Sequence, residues 1–87
     1  MKARTLVSRN IRRLRVAKGL SQEALAVDAG IDRTYVSRLE RGLESPTVAV
    51  LERLTVALRA KIVDLFDESG ASGGKVAPLP SGRRPRR

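Results

Sequence analysis

Residues 20–42 read LSQEALAVDAGIDRTYVSRLERG, and the same helix-opening grammar occurs in them twice. Ser21 offers a side-chain oxygen to the free backbone N–H groups of a first turn. Leu20 before it and Leu25 at the fourth helical position can close over one another as a hydrophobic staple, and Glu23 complements the positive helix end. Asp32 repeats the pattern, with Ile31 before the cap and Val36 at the fourth helical position. The second start comes eleven residues after the first. The helix from Gln22 must therefore end near Ala29, where Gly30 can take a left-handed conformation at little cost. The next helix runs to Arg41 and is stopped by Gly42.

Two short helices joined by a three-residue turn containing glycine form the helix-turn-helix supersecondary unit. Its helices cross closely, which demands small or branched apolar residues on the inner side, and Ala26, Ala29, Val36 and Leu39 meet that need. The outer side is then free. From Asp32 to Arg41 the outward candidates are Arg33, Thr34, Tyr35, Ser37, Arg38 and Arg41, a set rich in donors for base edges and phosphates. Arg33 and Arg38 lie five apart, so they point in different directions around the helix.

On the N-terminal side, Val7, Ile11, Leu14 and Ala17 follow helical spacing while Arg9, Arg12 and Arg13 occupy the other face, and Gly19 supplies the stop. On the C-terminal side, Ser45-Pro46-Thr47 offers a cap and a proline tolerated in a first turn, opening a helix in which Leu51, Leu54 and Leu58 repeat at three and four. Ile62 to Phe66 then reads as one or two helical turns closing the core. Val50, Leu54, Leu58 and Phe66 could serve either that core or a subunit interface. No segment keeps a strand-like alternation, and the only aromatic residues are one Tyr and one Phe. The expected fold is all-α, a compact five-helix domain over residues 1–68. From Ser69 the composition turns to Gly, Ser, Pro and Arg, which cannot build a core, so residues 69–87 are expected to form a disordered basic tail.

Eighty-seven residues allow one modest core and no large substrate cavity. With no histidine and no cysteine, imidazole acid/base catalysis, thiol nucleophiles, the usual zinc sites and disulfides are all removed, and no metal or cofactor is expected. Asp28, Asp32, Glu40 and Glu44 could supply carboxylates, but each has a simpler job as cap, surface charge or ion-pair partner, so the chain does not read as an enzyme. Apolar runs such as 48–51 fall far short of a membrane span, and Ser8, Arg9 and Asn10 interrupt any signal-peptide core, which gives a cytoplasmic expectation. The net charge of +9 favours polyanions. It is uneven: residues 1–68 carry thirteen basic and nine acidic side chains, residues 69–87 five basic and none acidic. The tail's arginines could add non-specific phosphate attraction or simply be solvated.

Taken together, the stretches 11–15, 19–26, Ala29-Gly30, 36–42, Ser45-Pro46-Thr47 and Asp64-Leu65-Phe66 resemble the phage-repressor-type (XRE, Cro-like) helix-turn-helix regulators over roughly residues 6–68. The resemblance implies a lambda-repressor-like five-helix domain, sequence-specific binding to double-stranded operator DNA and usually a homodimer on a palindrome. Carried over by position, it makes Gln22 a phosphate contact that can also touch the reading helix, and Arg33, Thr34 and Ser37 or Arg38 the base-reading residues. It pairs Glu40 with a basic residue of the first helix, here Arg15, as a structural ion pair. Tyr35 could meet a phosphate or thymine methyl, or pack on the domain surface. Where the family often has a small turn residue between its last two helices, this chain has Arg59-Ala60-Lys61. The implied roles are a repressor or a restriction-modification controller. The alternatives are an antitoxin-type regulator acting with a partner protein, or a protein-interaction module that has lost operator reading.

Overall fold

The computed structural model describes residues 2–71, and all regular structure among them is helical. In order come α1 (Ala3–Ala17), α2 (Gln22–Ala29), α3 (Arg33–Glu40), α4 (Val48–Leu58), a 3-10 segment (Ile62–Phe66) and a last helical turn, α5 (Glu68–Ala71). The segment expected as a fifth helix is thus wound more tightly than an α-helix, and a helical turn reaches into residues read as the start of the tail. The rest of that expected tail lies outside the described residues.

Local chemistry explains the boundaries. Ser21 accepts from the Ala24 N–H at 2.9 Å and Asp32 from the Thr34 N–H at 2.9 Å, so both expected caps form. The cap of α4 is Thr47, which accepts from the Val50 N–H at 3.1 Å. Pro46 therefore precedes the cap instead of occupying the first turn. The four α-helices α1 to α4 close alike: Leu20, Ile31, Leu43 and Ala60 each donate to a carbonyl five residues back, at 2.9–3.0 Å. Such a closure needs a left-handed residue just before the donor. Glycine supplies it three times; at the end of α4 it is Arg59, with φ 54°, among the described residues the one non-glycine with positive φ. The unusual Arg59-Ala60-Lys61 sequence therefore ends α4 in the same geometry, at the steric cost a side chain adds.

The core forms where one stripe from each element converges: Val7 and Ile11 of α1, Leu25, Ala26 and Ala29 of α2, Val36 and Leu39 of α3, Leu51, Leu54 and Leu58 of α4, and Leu65 of the 3-10 segment. Leu14 is half-buried and Ala17 exposed, so the α1 stripe fades toward its end. Leu54 and Leu58 belong wholly to the core and Val50 packs against it, whereas Phe66 stays 42% exposed beside a shallow groove with Val7, Pro46 and Leu51. One polar group sits at the centre. Asn10 is fully buried, its Nδ2 donating to the carbonyls of Leu6 (3.1 Å), Leu65 (3.0 Å) and Asp67 (3.0 Å) while Oδ1 accepts from Arg13. Those bonds pin the 3-10 segment to α1. Among the described residues, no helix is long and apolar enough to cross a membrane and no three carboxylates cluster to hold a metal.

Candidate nucleic-acid interface

The two faces of α3 differ sharply. Val36 and Leu39 are shut into the core, and the Glu40 side chain is only 3% exposed. Helical spacing then sends Thr34, Ser37, Arg38 and Arg41, at intervals of three and four, to the opposite side. Thr34, Arg38 and Arg41 are exposed there, and Ser37 is half-buried. Arg33, at the first position of α3, is exposed on the flank of this strip. Tyr35 lies on the other flank, half-buried with its ring against the core. Burial first, and the charge of Glu44 second, push its phenol above the ordinary tyrosine range.

Three side chains fix α3 to the rest of the domain. Arg15 Nε donates to Glu40 Oε2 at 2.6 Å and its Nη2 to Oε1 at 3.0 Å, a two-pronged pair. Its Nη1 also donates to the Leu20 carbonyl at 2.7 Å. The hydrogen bond to Glu40 raises Arg15 above the usual guanidinium range; desolvation opposes this, and the charge of Glu40 reinforces it. Gln22 Nε2 donates to Glu40 Oε1 at 3.1 Å. The amide at the start of α2 is thus tied to α3, as the resemblance implied. Arg15 and Glu40, 25 residues apart, meet as expected.

Two residues of the site were not singled out beforehand as part of it. Arg38 Nε donates to Glu44 Oε2 at 2.7 Å, because the Gly42 reversal brings the chain after α3 back alongside it. Arg53 of α4 donates to the Gly30 carbonyl at 3.3 Å, bracing the corner between α2 and α3. The six-residue spacing across a glycine stop was the available signal for the first; nothing local announces the second. Among the described residues Arg33 and Arg41 have no carboxylate partner, so the strip keeps unneutralised positive charge.

The helix-turn-helix family designated HTH_3 matches residues 11–65, which contain all of α2 and α3. The chain belongs to the helix-turn-helix family. It is 45% identical over 65 residues to an uncharacterized HTH-type transcriptional regulator, y4dJ, of Sinorhizobium fredii, covering 75% of this chain and 84% of that one. Among solved structures it is similar to the restriction-modification controller protein C.AhdI of Aeromonas hydrophila, at 40% identity and a TM-score of 0.70, over 72% of this chain and 96% of that one. It is also similar to the controller protein C.Esp1396I, seen as a tetramer with its natural 35 base-pair operator, at 35% identity and a TM-score of 0.70, over 76% and 87% of the two chains. The phage-repressor-type resemblance read from the sequence thus holds for this helix-turn-helix domain.

Proposed function

We propose that this protein is a sequence-specific DNA-binding regulator of transcription, a repressor or controller, that reads a palindromic operator as a homodimer. One observation carries the reading: the face of α3 opposite Val36 and Leu39 is a solvent-exposed strip of hydroxyl and guanidinium groups. An α-helix fits the major groove, where such donors distinguish base pairs. Arg33, Thr34, Ser37 and Arg38 take the base edges. Tyr35 and Arg41 meet the backbone or a thymine methyl, and Gln22, steadied by Glu40, contacts a phosphate at the start of α2. Arg15 and Glu40 hold the geometry without touching DNA.

Two copies would place their α3 helices about 34–36 Å apart, one duplex turn, which makes the operator an inverted repeat. Ile62, Val63 and Phe66, between 42% and 63% exposed, supply apolar surface for pairing of subunits. The relatives support this reading, since one of them is a tetramer with its operator. Selection of bound duplexes from a random pool tests it. The expected result is an inverted repeat, with Arg38→Ala lowering operator affinity by about 1–3 kcal/mol and scrambled-duplex affinity much less. Equal losses on both would reduce Arg38 to a phosphate contact, and no enriched sequence would remove operator reading altogether.

A further inference from the structure

We infer that Glu44 is a specificity-determining residue, positioning Arg38 by holding its Nε so that only the terminal amino groups of the guanidinium face the groove. The inference rests on the operator-reading function of α3 and adds a residue outside that helix. A guanidinium has five N–H groups in a rigid fork and can grip a partner from its end or from its side. The side approach needs Nε, and in this structure Nε donates to Glu44 Oε2 at 2.7 Å. The end remains available, with the Arg38 side chain 45% exposed and that of Glu44 29% exposed.

The contact is written into the local chain. Gly42 turns left-handed with φ 76°, Leu43 N–H closes onto the Arg38 carbonyl at 2.9 Å, and the next residue is Glu44. The charge of the same carboxylate also reaches Tyr35, one turn before Arg38 on the flank of the strip. An ion pair this exposed contributes little to folding. Its effect is on what Arg38 can do. An untethered arginine bends to the nearest phosphate, which is present in every sequence; a tethered one rewards only a base that its end can grip. A carboxylate at this place also repels phosphates, so it weakens sequence-independent attachment.

The test measures binding of the full chain to its selected operator, to operators altered one base pair at a time, and to a scrambled duplex. The chains compared are the unsubstituted protein, E44A, E44Q, R38A and R38A/E44A. E44A should tighten the scrambled duplex about threefold and the operator less or not at all. Discrimination should fall by up to about threefold, concentrated at the base pair to which R38A also becomes indifferent. E44Q, which keeps an acceptor for Nε, should retain more discrimination than E44A. In the R38A background, removing Glu44 should leave discrimination unchanged. If E44A tightens operator and scrambled duplex equally, or acts alike with and without Arg38, Glu44 is only a repulsive charge and the inference is overturned. If the unsubstituted chain does not discriminate, or R38A does not reduce discrimination, it is the reading role of α3 that fails, and the inference goes with it.

Discussion

Replacing Glu40 by alanine should remove a large part of the stability of this domain. Its carboxylate, 3% exposed, accepts three hydrogen bonds: from Arg15 Nε at 2.6 Å, Arg15 Nη2 at 3.0 Å and Gln22 Nε2 at 3.1 Å. An exposed pair would contribute about 0–1 kcal/mol, whereas deleting one partner of a buried pair costs about 3–5 kcal/mol because the other charge is stranded. The Arg15 side chain is 12% exposed and keeps the Leu20 carbonyl at 2.7 Å, so it is not fully stranded. That places the loss near the lower end, about 3 kcal/mol. Small domains unfold at roughly 0.05–0.15 kcal/mol per residue, so such a loss is roughly a quarter to two-thirds of the margin. Urea unfolding followed by far-UV circular dichroism measures it: the midpoint should fall sharply at unchanged slope, and the thermal midpoint should drop by roughly 12–24 °C. Glu40→Gln should lose less, since it keeps the shape and one acceptor. Arg15→Met combined with Glu40→Ala should cost less than the two changes summed, because no charge is then left behind. A loss under about 1 kcal/mol for Glu40→Ala would refute the claim that this buried pair holds α1 to α3.

Three further outcomes follow from the same structure. Asn10→Ala leaves the Leu65 and Asp67 carbonyls without their donor, and should cost about 2 kcal/mol with faster amide exchange across residues 62–66; unchanged exchange there would show that Asn10 does not pin the 3-10 segment. Arg59→Gly relieves a left-handed side chain with φ 54° and should stabilise by about 0.5–1 kcal/mol, while Arg59→Val should destabilise; a lower melting temperature for the glycine variant contradicts the strain. Tyr35 is the single tyrosine in a chain without tryptophan, so tyrosinate absorbance follows it alone. Its folded-state titration should lie on the alkaline side of the urea-unfolded chain, from burial first and Glu44 second. The unfolded chain then loses this proton first. The stability it contributes is complete below the unfolded value of about 10 and is lost as pH rises through the folded one. A folded midpoint at or below the unfolded one would rule this out.

What the sequence disclosed was what short-range chemistry decides. Ser21 and Asp32 announce helices because a cap and a staple involve residues within one turn, and the corner at Gly30 follows from the spacing of the two starts. The same logic slipped at Ser45-Pro46-Thr47, where two hydroxyl residues flank a proline and local rules do not choose between them; the structure places the cap at Thr47. Asn10 escaped because its partners lie 55 and 57 residues away, and a polar residue inside an arginine-rich helix looks like more surface. Arg15 and Glu40 were legible only through family resemblance, since nothing in a separation of 25 residues predicts that they meet. Glu44 read as surface charge. Its role depends on a chain reversal that carries a loop residue back over the helix it has just left.

Under the proposed function, so short a reading element acts with a definite geometry because the domain around it supplies that geometry. An isolated helix of eight residues is not stable in water, so the shape of α3 is imposed by what packs on it. Val36, Leu39 and the Arg15–Glu40–Gln22 contacts hold its inner side, and Glu44 restrains a side chain on its outer side. The ordering cost of the reading surface is therefore met when the domain folds, and little of it remains to be met on binding. The two supports should then fail differently. Substitutions at Arg15 or Glu40 reach DNA binding through the fraction of folded protein, and at Glu40 also through release of the Gln22 amide that meets a phosphate, so their effect on operator and scrambled duplex should be the same. Substitution at Glu44 should leave the unfolding curve in place and change the ratio of the two affinities. If Glu40→Ala altered that ratio in fully folded protein, α3 would have to shift within an intact domain, and its orientation would be adjustable instead of fixed by the core.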